Sequence, residues 1–215
     1  MIPARAAGVA LLVVVAASGC AFRTRTPDPG PGEGEWAQVR DAATRRHILY
    51  DGVTHRANAT ATHLTRAVRE ARVHRLSVWK SWTDAEYAKQ LAAEQAAAAA
   101  GEEFLVVLYT ANLRNNDLDS PDTLWHLAVR TGDAEILASE VHAVPSDVEV
   151  QNLFPWISRF DVIYTIRFPH PPGGDLGDTG FVLELASAVG KIPLDWDMPP
   201  VPNLPELLPA PPERR

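Results

Sequence analysis

The chain has 215 residues, 46% of them hydrophobic and 22% charged, with a formal net charge of −7. Its acidic balance comes without a clustered basic surface, which excludes nucleic acid as a partner. About 195 residues follow the first twenty, enough for one domain with a sizeable core.

Arg5 and the terminal amine form a short positive region, followed by an apolar or small run from Ala6 to Ala17. That run is shorter than the ~20 apolar residues needed to span a bilayer and has the length of a signal-peptide core. It ends in Ala17-Ser18-Gly19-Cys20. The small residues let a peptidase approach the backbone, and the Cys20 thiol is the nucleophile that can carry a thioether-linked lipid. Cys20 is also the sole cysteine, so the domain closes no disulfide of its own. Residues 1–20 resemble the lipobox signal of bacterial lipoproteins, departing from it at Ala17, where the family usually has leucine. The alternative is an ordinary signal peptide cut elsewhere. The resemblance implies a diacylglycerol on Cys20, often with an added N-acyl chain, and stable anchoring needs more than one chain. Ala21 and Phe22 follow, with no aspartate to retain the protein at an inner membrane. The expected address is the outer membrane of a bacterial envelope, with the membrane itself as a partner.

Residues 21–45 read as a flexible tether, since Thr26 to Gly34 is rich in proline and glycine and has no apolar period. The tail from Met198 to Arg215 has seven prolines in eighteen residues and reads as disordered. Residues 46–197 make one domain. His47 to Thr62 is extended, as one or two segments. Leu64, Val68, Ala71, Val78, Trp79 and Trp82 mark one face of a helix. Arg66, Arg69, Arg72 and Arg75 drift round that helix and read as a solvated face, with Arg75 snorkelling. Thr83 to Glu86 is a capping box that starts a second helix, which Gly101 stops. The two make a helical hairpin over about 64–100.

Beyond Gly101 the pattern is β. Phe104 to Tyr109 is a continuous apolar run, expected of a strand buried on both faces. Leu124 to Val129, a turn at Thr131-Gly132-Asp133 and a return strand from Ile136 to Val144 follow. Arg159 to Phe168 alternates, and Phe181 to Leu185 and Lys191 to Trp196 close the set. The predicted fold is α+β: an antiparallel sandwich of about seven strands with an N-terminal helical hairpin. The pattern from Phe104 to Trp196 resembles the immunoglobulin-like sandwich domains of uncharacterised envelope lipoproteins. That resemblance implies binding or structural support and carries no catalytic residue.

Asn115 to Asp122 is the most site-like loop. Asp117, Asp119 and Asp122 place carboxylates where calcium would need hard oxygens, although Asx residues also build plain turns. No cofactor other than a possible calcium ion is expected. His126 and His142 are potential cross-strand neighbours, but two histidines make no complete metal site. Ser77 and Lys80 stand one helical turn apart without the Ser-Asp-Asn element that would make the pair catalytic. Phe154-Pro155-Trp156 offers a potential aromatic tip for glycan or protein, or plain core packing. The first functional expectation is a non-enzymatic envelope module that binds a protein partner. The alternatives are a ligand-binding or hydrolytic protein with a pocket between helical hairpin and sheet, and a calcium-stabilised domain. A charged pocket discriminates for the former alternative, a flat apolar patch for the module.

Overall fold

A computed structural model describes residues 33–172, 174–177 and 180–197. Cys20 and the proline-rich tail lie outside them. In chain order the elements are α1 (Glu33–Ala42), β1 (Thr44–Asp51), β2 (Thr54–His63), α2 (Arg66–Lys80), α3 (Asp84–Ala99), β3 (Glu102–Thr110), β4 (His126–Thr131), β5 (Ala134–Leu137), β6 (Glu140–Val144), α4 (Val148–Leu153), β7 (Val162–Phe168), β8 (Val182–Ser187) and β9 (Gly190–Asp195). The strands form two antiparallel sheets, ordered β1-β2-β3-β7-β6 and β5-β4-β8-β9. The α+β sandwich predicted from the strand pattern is the architecture found.

The core between the sheets follows from strand alternation. Ala57, Ala59 and Ala61 of β2 and Phe104, Val106 and Leu108 of β3 point inward, opposite Leu183, Leu185, Ile192 and Leu194 of the second sheet. The other face of β3 is also buried, as its unbroken apolar run demands. Leu105 and Val107 meet Trp36 of α1, Val68 of α2 and Phe154 behind α4. The molecule therefore has three layers: helices, first sheet, second sheet.

Four sequence expectations change. Residues 33–45 are not tether, because α1 and the start of β1 occupy them and Trp36 anchors α1. Its indole donates to the Leu153 carbonyl at 3.1 Å, and Arg40 Nη1 donates to the same oxygen at 2.9 Å. The helical pair α2–α3 is not N-terminal, since α1, β1 and β2 precede it. The strands number nine among the described residues. One reason is that the expected return strand divides at Ala138–Ser139. Ala138 N–H donates to Leu127 in the second sheet and Ser139 N–H to Arg167 in the first, so the chain changes sheets there. Fourth, Arg69 and Arg75 are buried, not solvated.

Thr83 and Glu86 form the reciprocal capping box expected at the start of α3. Gly101 matters through close approach. A Cβ there would lie 2.6 Å from the Phe168 carbonyl oxygen, where β3 begins against the end of β7. Gly101→Ala is expected to cost about 1–3 kcal/mol by forcing the strands apart, measured by urea unfolding; an unchanged midpoint would show that β7 yields freely.

Candidate functional site

The site-like feature lies where β2 and β3 emerge from the sandwich. Glu102 is in phase with Phe104 and Val106, so alternation turns its carboxylate toward the space between the sheets. His63 ends β2 in phase with Ala57, Ala59 and Ala61, and its ring stacks on Phe104 at 4.6 Å. Glu102 Oε2 lies 2.8 Å from His63 Nε2, and Oε1 lies 2.9 Å from His170 Nδ1. The Leu176 amide also donates to Oε1, at 2.8 Å. The side chains of Glu102 and His63 are 7% and 5% exposed, that of His170 32%.

Burial alone would raise the Glu102 pKa. The hydrogen bonds from His63, Leu176 and His170 outweigh it and hold the carboxyl at about 2, against the ordinary 4.5. An ionised carboxylate only accepts, so both facing ring nitrogens are donors. In its neutral form each imidazole then keeps one acceptor: Nδ1 on His63 and Nε2 on His170. One buried charge thus orients two imidazoles on different segments.

Two adjoining cavities flank the trio. One, of about 470 Å³, is lined by Thr65, Gln95, His170 and Asp175 beside Glu102 and by the apolar Leu64, Ala98 and Ala99. The other, of about 540 Å³, is lined by Val39, Val68, Phe181 and Trp196. His63, Thr65, Ala67 and Gly177 border both. The second wall is built by stacking: Phe181 and Trp196 lie 4.8 Å apart at 14°, and Trp196 Nε1 donates to the Ala43 carbonyl.

The next residue on β3, Glu103, points the opposite way, into the helices. It accepts from Arg69 Nη2 at 3.0 Å and Arg167 Nη2 at 2.9 Å. Burial would raise its pKa, but the Arg167 and Arg69 guanidinium groups lower it. Arg69 also reaches Glu94 at 2.7 Å and the Leu64 carbonyl at 2.8 Å. Arg72 holds the other Glu94 oxygen. This cluster fixes α2 and α3 over the first sheet and so sets the roof of the cleft.

The residues singled out from sequence lie elsewhere. Asp117 Oδ1 accepts from the Thr123 hydroxyl, while Asp119 and Asp122 are exposed. Their loop plugs the sandwich with Leu118 and Trp125, and Asn116 bonds both the Leu108 carbonyl and the Tyr164 hydroxyl. The Asp117 carboxylate serves the turn, and among the described residues no three His, Cys, Asp or Glu are grouped to hold a metal. Calcium is expected to leave the melting temperature unchanged; a rise reversed by a chelator and lost in Asp117→Ala would restore that reading.

Phe154 is no exposed tip. It is 1% exposed, edge-on to Trp36 at 5.7 Å, and Trp156 lies half-buried beside it. His126 and His142 are not neighbours: they sit on β4 and β6 in different sheets, and His126 pairs with Glu135. Ser77 donates to the His74 carbonyl and Lys80 pairs with Glu149, so no Ser–Lys dyad forms. Sequence reading missed Glu102, His63 and His170 because they lie far apart in the chain. The available signal was a carboxylate and an imidazole in the inward phase of two apolar strands.

The fold and cleft thus define a three-layer α+β antiparallel sandwich with a pocket of mixed polar and apolar lining at one end. No family model and no curated protein matches the chain. A solved structure of a Burkholderia pseudomallei protein of unknown function is similar at 11% identity, with a TM-score of 0.42, over 76% of this chain and 82% of that one. Among the described residues no helix is long and apolar enough to cross a membrane.

Proposed function

We propose that this chain is a lipoprotein of the bacterial envelope, anchored to the outer membrane through Cys20, whose domain is a non-enzymatic binding module. Its ligand sits in the cleft around His63, Glu102 and His170. The anchor rests on the apolar run that ends in the sole cysteine. The binding reading rests on one observation: a buried carboxylate that accepts from three protein donors orients two imidazoles between two adjoining cavities, each lined by both polar and apolar groups. Cavities of this size suit small ligands, and a few convergent polar groups on an apolar wall are how such sites achieve orientation. The acceptor nitrogens, Gln95 and Asp175 fit a hydroxyl- or amine-bearing end; Val68, Phe181 and Trp196 fit an apolar end. The ligand is therefore a small amphiphile.

Two experiments test this. In cells, Cys20→Ala should release the protein from membranes and abolish labelling by a fatty-acid analogue; normal fractionation and labelling contradict the anchor. In solution, a library of small amphiphilic amines and alcohols should perturb the side-chain resonances of His63 and His170, and Trp196→Ala should weaken the hits. Hits that leave both histidines unmoved contradict the cleft. Hydrolysis is a second reading, favoured by the Glu102–His170 pair, which resembles an oriented general base. It requires turnover that disappears in His170→Gln while binding persists.

A further inference from the structure

We infer that the outer face of the first sheet carries a second binding site, for a neutral saccharide, separate from the cleft. The helices cover only part of this face, over Leu105, Val107 and Ile163. At the far ends of β1, β2 and β3 it stays open, and a groove of about 220 Å³ runs there between the sheet and the 156–161 segment. His55, Asn58 and Tyr109 form its floor; Trp156, Phe160 and Asp161 form its side.

The local chain geometry builds this surface. Leu49 pairs with Ala57 but Tyr50 pairs with His55, so β2 carries one extra residue, Arg56. A bulge of this kind re-aims the residue beside it. His55 is brought onto the face of Tyr109, where the rings stack at 5.0 Å and 22°. Tyr50 extends the row at 5.5 Å from His55. Asn58 Nδ2 lies 3.3 Å from His55 Nε2 and pairs across the strands with Tyr109. Phe160, 56% exposed, stands opposite with Arg159 over its ring at 4.6 Å.

Three observations choose the occupant. First, flat aromatic faces interleaved with planar amide, carboxylate and guanidinium groups (Arg46 lines the same groove) suit a pyranose, which has C–H faces and in-plane hydroxyls. Second, Phe160 stays 56% exposed in the wall beside Trp156, so the groove keeps apolar surface in water that the C–H face of a sugar would cover. Third, the competitors fit badly. β2 and β3 are hydrogen-bonded on both sides, so the floor offers no open edge for a peptide to add as a strand. Asp161 in the groove and a net charge of −7 disfavour a polyanion.

Titration calorimetry of the purified full-length protein with tetramers of N-acetylglucosamine, glucose and mannose tests the inference. At least one tetramer should bind. Phe160→Ala and Asp161→Ala should each weaken it about tenfold or more, whereas Glu102→Gln in the cleft should leave it unchanged. Phe160 is exposed, so its truncation does not threaten the fold. The inference is overturned if no tetramer binds or if affinity survives both groove substitutions. It is also overturned if Glu102→Gln weakens binding as much as they do, which would assign the sugar to the cleft, or if tetra-alanine binds with the same dependence on Phe160.

Discussion

Glu102→Ala should destabilise the protein by about 3–5 kcal/mol, more than a typical core truncation of similar size. The alanine removes an acceptor group that serves three donors, His63 Nε2–H, His170 Nδ1–H and the Leu176 amide, and strands the two imidazole N–H groups. Each donor left buried without a partner costs about 1–3 kcal/mol, and His170, being part-exposed, recovers some of its share from water. In a domain of this length the loss lowers the melting temperature by about 2–4 °C per kcal/mol. The same carboxylate gives an acid signature. Its folded-state pKa of about 2 lies below the ordinary 4.5, so its contribution is complete above 4.5 and disappears as the pH falls toward 2. That contribution is about 3 kcal/mol at most. Urea unfolding across this range should show wild-type stability falling steeply and the Glu102→Gln variant falling less. Parallel pH profiles for the two proteins would remove the carboxylate from its role.

Arg69→Met is the second large effect, expected at about 3–5 kcal/mol. Its guanidinium is 3% exposed and joins Glu94, Glu103 and the Leu64 carbonyl. Methionine fills similar volume but leaves Glu103 with Arg167 as its remaining partner and Glu94 with Arg72. Because α3 has no buried residue of its own, its position depends on this cluster and its contacts with α2. Hydrogen exchange should therefore rise first in α3. Uniform loosening of the whole domain instead would mean that Arg69 serves the core generally.

What was legible in the sequence divides along a physical line. β3 was readable because burial on both faces demands an unbroken apolar run, and α3 because its capping box is a local, two-residue signal. Helix α1 was hidden: only Trp36 and Val39 are spaced for a helical face, and Gly34 and the prolines before it argue for a linker. Tertiary contacts to Leu153 and Phe154 decide it. The crossing at Ala138–Ser139 left no mark, since both halves read as strand. The candidate site followed the same rule. Asp117, Asp119 and Asp122 drew notice because they cluster in sequence, yet Asp117 bonds within its own turn and the other two face solvent. Glu102, His63 and His170 are brought together by the pairing of β2 with β3 and by the loop that returns after β7, which no local pattern encodes. Glu102 and Glu103 look alike in the chain, yet alternation sends one toward the cleft and the other under the helices.

An ionised Glu102 fixes both imidazoles and so preorganises the cleft. Long-range ¹H–¹⁵N correlation of the histidine side chains measures it most directly. Protons are expected on Nε2 of His63 and Nδ1 of His170 in the folded protein, with both signatures lost in Glu102→Ala. A bare Nε2 on His63 or a bare Nδ1 on His170 would contradict it.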